Sequence, residues 1–167
     1  MATDFVTLLH RDHADLQKEL ALLLDPNATV AELRGSLDGV RLGLTAHVEA
    51  EDIVLARFEA IPPLDVLIAQ SRTAHLAQEG ALSALVSARP GTGLWRDRAN
   101  HLRELVRHHA AQAEQLLIPG LRTHLPRELY DALAGEFATE RLRQLAMLQP
   151  SAPFSIAELV MADARAV

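Results

Sequence analysis

Cysteine is absent from this 167-residue chain. That excludes disulfides, thiolate metal sites, zinc-finger ligation and cysteine-held iron–sulfur clusters. Aromatic residues are scarce at 4%, against 49% hydrophobic and 23% charged, which is the balance of a soluble globular protein. No Lys/Arg cluster interrupts a net charge of −6, which argues against nucleic acid and anionic membrane surfaces as partners. No apolar run approaches the ~18 residues of a membrane span. The opening "MATDFVTLLHRDHADL" carries Asp4 and no basic segment, so it does not read as a signal peptide. The expectation is a cytoplasmic globular domain with a substantial core.

What is present is helical period almost throughout, with no clean strand alternation. The pattern predicts helices over about 3–24, 30–60, 64–87, 94–118 and 126–148. The breaks between them are "DPNAT", with Thr29 as an N-cap, then "IPPL", "RPGTG" and Pro119–Gly120. "SIAEL" at 155–159 opens a short terminal helix with a capping-box pattern, Ser155 and Glu158. The fold expected is all-α, an antiparallel up-down four-helix bundle over 1–122. An additional C-terminal helical extension, 123–167, packs on the same domain.

Two ionisable residues interrupt the apolar stripe of the second helix. The stripe runs Leu33, Leu37, Val40, Leu44, His47, Glu51, Val54, Phe58. Positions four apart lie about 40° apart on a helix, so His47 and Glu51 point into neighbouring layers of one core face. His75 and Glu79 repeat the arrangement on the third helix. The first helix offers His13 on the stripe Leu9, His13, Leu16, Leu20. The fourth offers His109 among Leu102, Val106 and Ala113. The intervals His13–His47 and His75–His109 are both 34 residues, each crossing one turn-rich break. Two similar helix hairpins thus each present two inward histidines.

One core histidine is commonly a satisfied packing residue, and one His/Glu pair at i, i+4 is commonly a surface ion pair. Neither explanation extends to four helices. Buried unpaired carboxylates cost several kcal/mol each, so a layer of four histidines and two or three glutamates needs cations. Nitrogen and oxygen donors without sulfur suit iron or manganese, and also zinc, whereas magnesium and calcium prefer oxygen alone.

The segments "LLHRDHADL", "HVEAEDIVL", "SRTAHLAQE" and "HHAAQAEQLLIP" resemble the four helix signatures of the hemerythrin-like, or HHE cation-binding, family. The resemblance covers about residues 5–121. It implies a four-helix bundle with two non-haem irons bridged by carboxylates and an oxo or hydroxo group. Carried over, the implied ligands are His13, His47 with Glu51, His75 and His109. Two departures stand out. Many members have a glutamate four residues after the last histidine, where this chain has Ala113; Glu114, at five, is similar to the HxxxxD spacing of the oxygen carriers. The third helix has His75-xxx-Glu79 where carriers have HxxxH. If Glu79 and Glu114 both bind, the site is richer in carboxylate and poorer in imidazole than a carrier's. Glu114 could reach His109 on one face only through a π-like turn near 109–114.

The leading expectation is a metal protein that binds or reduces a small diatomic or peroxide ligand, with Glu51 and Glu114 as candidate bridges. A di-iron oxygenase acting on an organic substrate and a metal-free helical interaction module are the other readings. Gly35, Gly39 and Gly43 recur every four residues beside the site-facing stripe. Glycine costs about 1 kcal/mol in a helix interior. The expectation is that the three admit a neighbouring helix, in this chain or in a homodimer partner.

Overall fold

A computed structural model describes residues 4–149. The chain is all-helical there, and the capping-box segment at 155–159 lies outside the described residues. The elements are α1 (Phe5–Leu22), α2 (Val30–Leu55), α3 (Leu64–Val86), α4 (Gly93–Gln112), α5 (Ile118–His124) and α6 (Arg127–Leu148). A 3-10 turn, Ala56–Phe58, follows α2, and a π-helical segment, Ala113–Leu117, joins α4 to α5. No helix among the described residues is long and apolar enough to cross a membrane.

Local chemistry sets the helix starts. Asp4 caps α1 by accepting from Thr7 N–H, and Thr92 caps α4 by accepting from Trp95 N–H. Thr29 and Glu32 close a reciprocal capping box on α2, satisfying donors the helix itself cannot. α1 packs on α2 and α4, α3 packs on α2 and α4, and α6 lies along α1 and α2. The fully buried indole of Trp95 donates to the Leu23 carbonyl (2.9 Å), tying the start of α4 to the end of α1.

The fourth helix does not stop at Pro119–Gly120, as its breakers predict. The wider π turn intervenes, with Ile118 N–H bonding to the Ala113 carbonyl. Pro119 then falls in the first turn of α5, where its missing N–H breaks no helical hydrogen bond. The helical path therefore continues to His124.

The apolar core falls into two clusters. One contains Phe5, Leu9, Val54, Phe58, Leu64, Ile68, Ala113, Leu117 and Phe137. The other contains Leu16, Leu20, Leu44, Val48, Ala81, Leu85, Leu102 and Val106. On every one of the first four helices the changeover falls at a buried polar position. It lies between Leu9 and Leu16 on α1, near His47 and Glu51 on α2, between Ile68 and Ala81 on α3, and between Val106 and Ala113 on α4. One polar layer crosses the interior at a single level.

Within this chain the three glycines of α2 do not mark a close backbone approach. A Cβ on Gly35 would meet nothing within 4 Å. On Gly39 it would lie 3.4 Å from a Glu19 oxygen, and on Gly43 3.4 Å from a Leu16 methyl. Both neighbours are side-chain ends on α1, which leave room for an alanine. The tight approach is instead at Gly120, where a Cβ would run into a Leu67 methyl of α3. We expect Gly35→Ala to raise stability by about 0.5–1 kcal/mol, read as a higher melting temperature; a lower one would mean that this face is covered.

Candidate metal centre

Each of the first four helices places one histidine in the polar layer, because each apolar stripe carries one histidine at the matching height. His13, His47, His75 and His109 are all buried, and Glu51 has no exposed surface. One donor atom from each of His13, His47, Glu51 and His109 lies within 4.8 Å of the others. His75 adjoins this group: its Nε2 is 3.2 Å from His109 Nε2 and 3.8 Å from Glu51 Oε1. Glu51 Oε2 stands 3.5 Å from Nε2 of both His47 and His109. The imidazoles form two close pairs about this carboxylate. Ring centroids are 4.8 Å apart for His13–His47 and 4.5 Å for His75–His109, against 5.5–6.3 Å for the other neighbouring combinations.

Two further carboxylates orient the rings from outside. His47 Nδ1 is 2.8 Å from Asp12 Oδ2, and His75 Nδ1 is 2.9 Å from Asp52 Oδ1. A carboxylate only accepts, so each Nδ1 carries the proton and each Nε2 turns a lone pair inward. Arg141 of α6 grips Asp12 with two contacts, Nε to Oδ2 at 2.6 Å and Nη2 to Oδ1 at 2.5 Å. The ring of Phe137 packs edge-on against His47. On the other side, the Ser71 hydroxyl donates to Glu51 Oε1 (2.6 Å).

The donors fit a cation. Buried atoms with no hydrogen-bond partner among the described residues include both ring nitrogens of His13, Nε2 of His47 and Oε2 of Glu51. Leaving such groups unpaired costs about 1–3 kcal/mol each, so the arrangement makes sense only with something between them. Two imidazoles bound at about 2.0–2.1 Å to one ion stand roughly 3.0–3.4 Å apart, and His75 and His109 are already at that separation.

Charge follows the same geometry. Burial pushes the Glu51 carboxyl up, but the surrounding His109, His75 and His47 outweigh it and hold the group well below the usual carboxylate range. Burial also raises Asp12, and His47 and Arg141 overcome it, leaving its carboxyl low. Burial lowers His75, yet Asp52 and Glu51 more than compensate and its imidazole is raised. His13 lacks such a partner. Burial, joined by the neighbouring charge of His47, pushes it down to about 3.

Two expected ligands are elsewhere. Glu79 is exposed on the outer face of α3. The third helix instead directs Ser71, His75 and Gln78 inward, so the residue that reaches Glu51 from one turn before His75 is Ser71. Glu114 is also exposed, 3.3 Å from exposed His10. A π turn is present at Ala113–Leu117 and contains Glu114, yet the Glu114 side chain still faces outward. The α pitch holds from His109 to Ala113, whose N–H bonds to the His109 carbonyl, so the widening begins too late to bring Glu114 onto the face of His109. Ala113 takes the buried position. The layer is thus richer in imidazole than in carboxylate. His101, His108 and His124 are exposed as well.

The sign of the pH dependence follows from His13. Its folded pKa lies below the ordinary value near 6.5, so between about pH 6.5 and pH 3 the unfolded chain binds a proton that the folded one refuses, and stability falls as pH falls. In metal-free protein we expect His13→Leu to flatten the stability–pH curve across that window, measured by urea unfolding; an unchanged slope would show that His13 titrates normally in the fold.

Comparison with known families agrees with this geometry. No curated protein and no solved structure matches the chain. The model of the "Hemerythrin HHE cation binding domain" matches residues 4–121, a span that contains all five inward-facing donors. The chain belongs to the hemerythrin HHE cation-binding family.

Proposed function

We propose that the protein is a non-haem di-iron protein that binds or reduces a small ligand such as dioxygen, peroxide or nitric oxide. Its scaffold in this reading is an antiparallel up-down four-helix bundle over residues 1–122, with the extension from 123 belonging to the same domain. The observation that carries the proposal is the sorting of four buried imidazoles into two pairs around Glu51. His13 and His47 would hold one metal, His75 and His109 the other, with Glu51 between them. Iron, when bound, supplies a redox couple and open positions for a small molecule; manganese and zinc also suit nitrogen and oxygen donors.

The remaining residues work on the ligands. Asp12 and Asp52 fix the imidazole tautomers. Ser71 holds one oxygen of Glu51, and the two apolar clusters keep bulk water off the layer. Size favours a small ligand over an organic substrate. The partly open pocket that reaches His109 and Ser71 is also lined by Leu67, Gln112, Ala113 and Leu117 and has about 10 Å³, room for one water-sized molecule.

Elemental analysis of protein expressed with iron tests this reading. We expect two irons per chain; one would make the centre mononuclear, and only trace metal would remove it. His47→Ala with Glu51→Ala should lose the metal and, with it, the stabilisation that metal binding contributes to the fold. Glu114→Gln and Glu79→Gln should keep the full complement, since both side chains face outward. Metal loss in either would mean that the helix rearranges to bring that carboxylate in.

A further inference from the structure

Among the described residues, one buried polar side chain without a hydrogen-bond partner lies outside the centre described above. Gln78 has no exposed surface, and neither its Nε2 nor its Oε1 has a hydrogen-bond partner among the described residues. A buried amide left in this state costs about 1–3 kcal/mol, and a leucine or methionine would fill the space without that cost. Its position is specific. On α3 the apolar stripe is interrupted between Ile68 and Ala81 by Ser71, His75 and Gln78 alone. Ser71 and His75 both act on Glu51 or His109. Gln78 follows His75 by three residues, one turn along the same face, and so belongs to the level at which the core changes over.

The chemistry narrows what it can face. The Nδ1 protons of His47 and His75 are engaged by Asp12 and Asp52, and the Ser71 hydroxyl by Glu51. The two N–H donors of Gln78 are not engaged. A small ligand bearing an oxygen or nitrogen lone pair, held in the centre, satisfies Nε2. We propose that Gln78 is the hydrogen-bond donor presented to a small exogenous ligand bound on the side of the imidazole layer away from the Ser71 pocket, and that it thereby favours anionic or strongly polar ligands. This rests on the metal-binding reading given above.

Azide, a small anion with terminal nitrogen acceptors, is the probe. Iron-loaded wild type and Gln78→Met, which keeps the unbranched shape of glutamine, are titrated with azide and followed in the visible spectrum, with iron content measured on both. We expect equal iron content and an azide Kd raised roughly three- to tenfold in Gln78→Met, the loss of about one hydrogen bond. The metal-free variant should melt at the same temperature as wild type or higher, because an unpaired amide has been replaced by an apolar group. Gln78→Leu repeats the measurement should the methionine variant pack poorly. Unchanged azide affinity at equal iron content overturns the donor role and leaves the metal reading standing. Loss of iron in the variants makes Gln78 a direct ligand, which also overturns it. A wild type that takes up no metal overturns both readings together.

Discussion

Burying the Glu51 carboxylate completely inside a helical protein would cost several kcal/mol if it stood alone. The arrangement around it answers that cost. Three imidazoles face its two oxygens at 3.5–3.8 Å, and a serine hydroxyl donates to one of them. Those imidazoles need orientation in turn, which Asp12 and Asp52 supply for two of them, and Asp12 is itself held by an arginine. Charge alternates outward from Glu51 through His47 and His75 to Asp12 and Asp52, and on to Arg141. Both nitrogens of His13, Nε2 of His47 and Oε2 of Glu51 still have no partner among the described residues, which is what makes a cation the natural completion.

This polar layer also shapes the fold. A continuous apolar core would let the helices slide in register by a turn at little cost. Dividing the core into two clusters at matching heights on four helices removes that freedom, since a slip would bury Glu51 or a histidine against leucine. The same groups that could bind metal therefore specify how the helices align. Without metal they add little to net stability, because desolvated charges seldom outperform well-packed hydrocarbon.

Much of this was legible in the sequence. Steps of three and four along apolar stripes located the helices to within a few residues and singled out His13, His47, Glu51, His75 and His109. What failed was the choice of turn. Glu79 matches the i, i+4 rule that works for His47 and Glu51, yet α3 presents positions 71, 75 and 78, so the carboxylate falls outside. A stripe read across Ile68, Ser71, His75 and Ala81 would have placed Gln78 inward and Glu79 outward. The sequence also predicts a π-like turn near 109–114; it falls at Ala113–Leu117 and contains Glu114, whose side chain nonetheless faces outward. Asp12, Asp52 and Arg141 could not be found by periodicity at all. Asp12 and Asp52 sit beside His13 and Glu51 in sequence, as charged helix residues often do. Arg141 reaches Asp12 across 129 positions.

That last contact carries a consequence for how the protein is divided. The family match ends at residue 121, whereas the guanidinium that steadies Asp12, and the phenyl ring against His47, come from 141 and 137. The stretch recognisable as an inherited unit is therefore shorter than the stretch that holds its first histidine pair in place. In this chain the mechanical boundary of the centre and the boundary of its ancestry do not coincide, and α6 lies between the two.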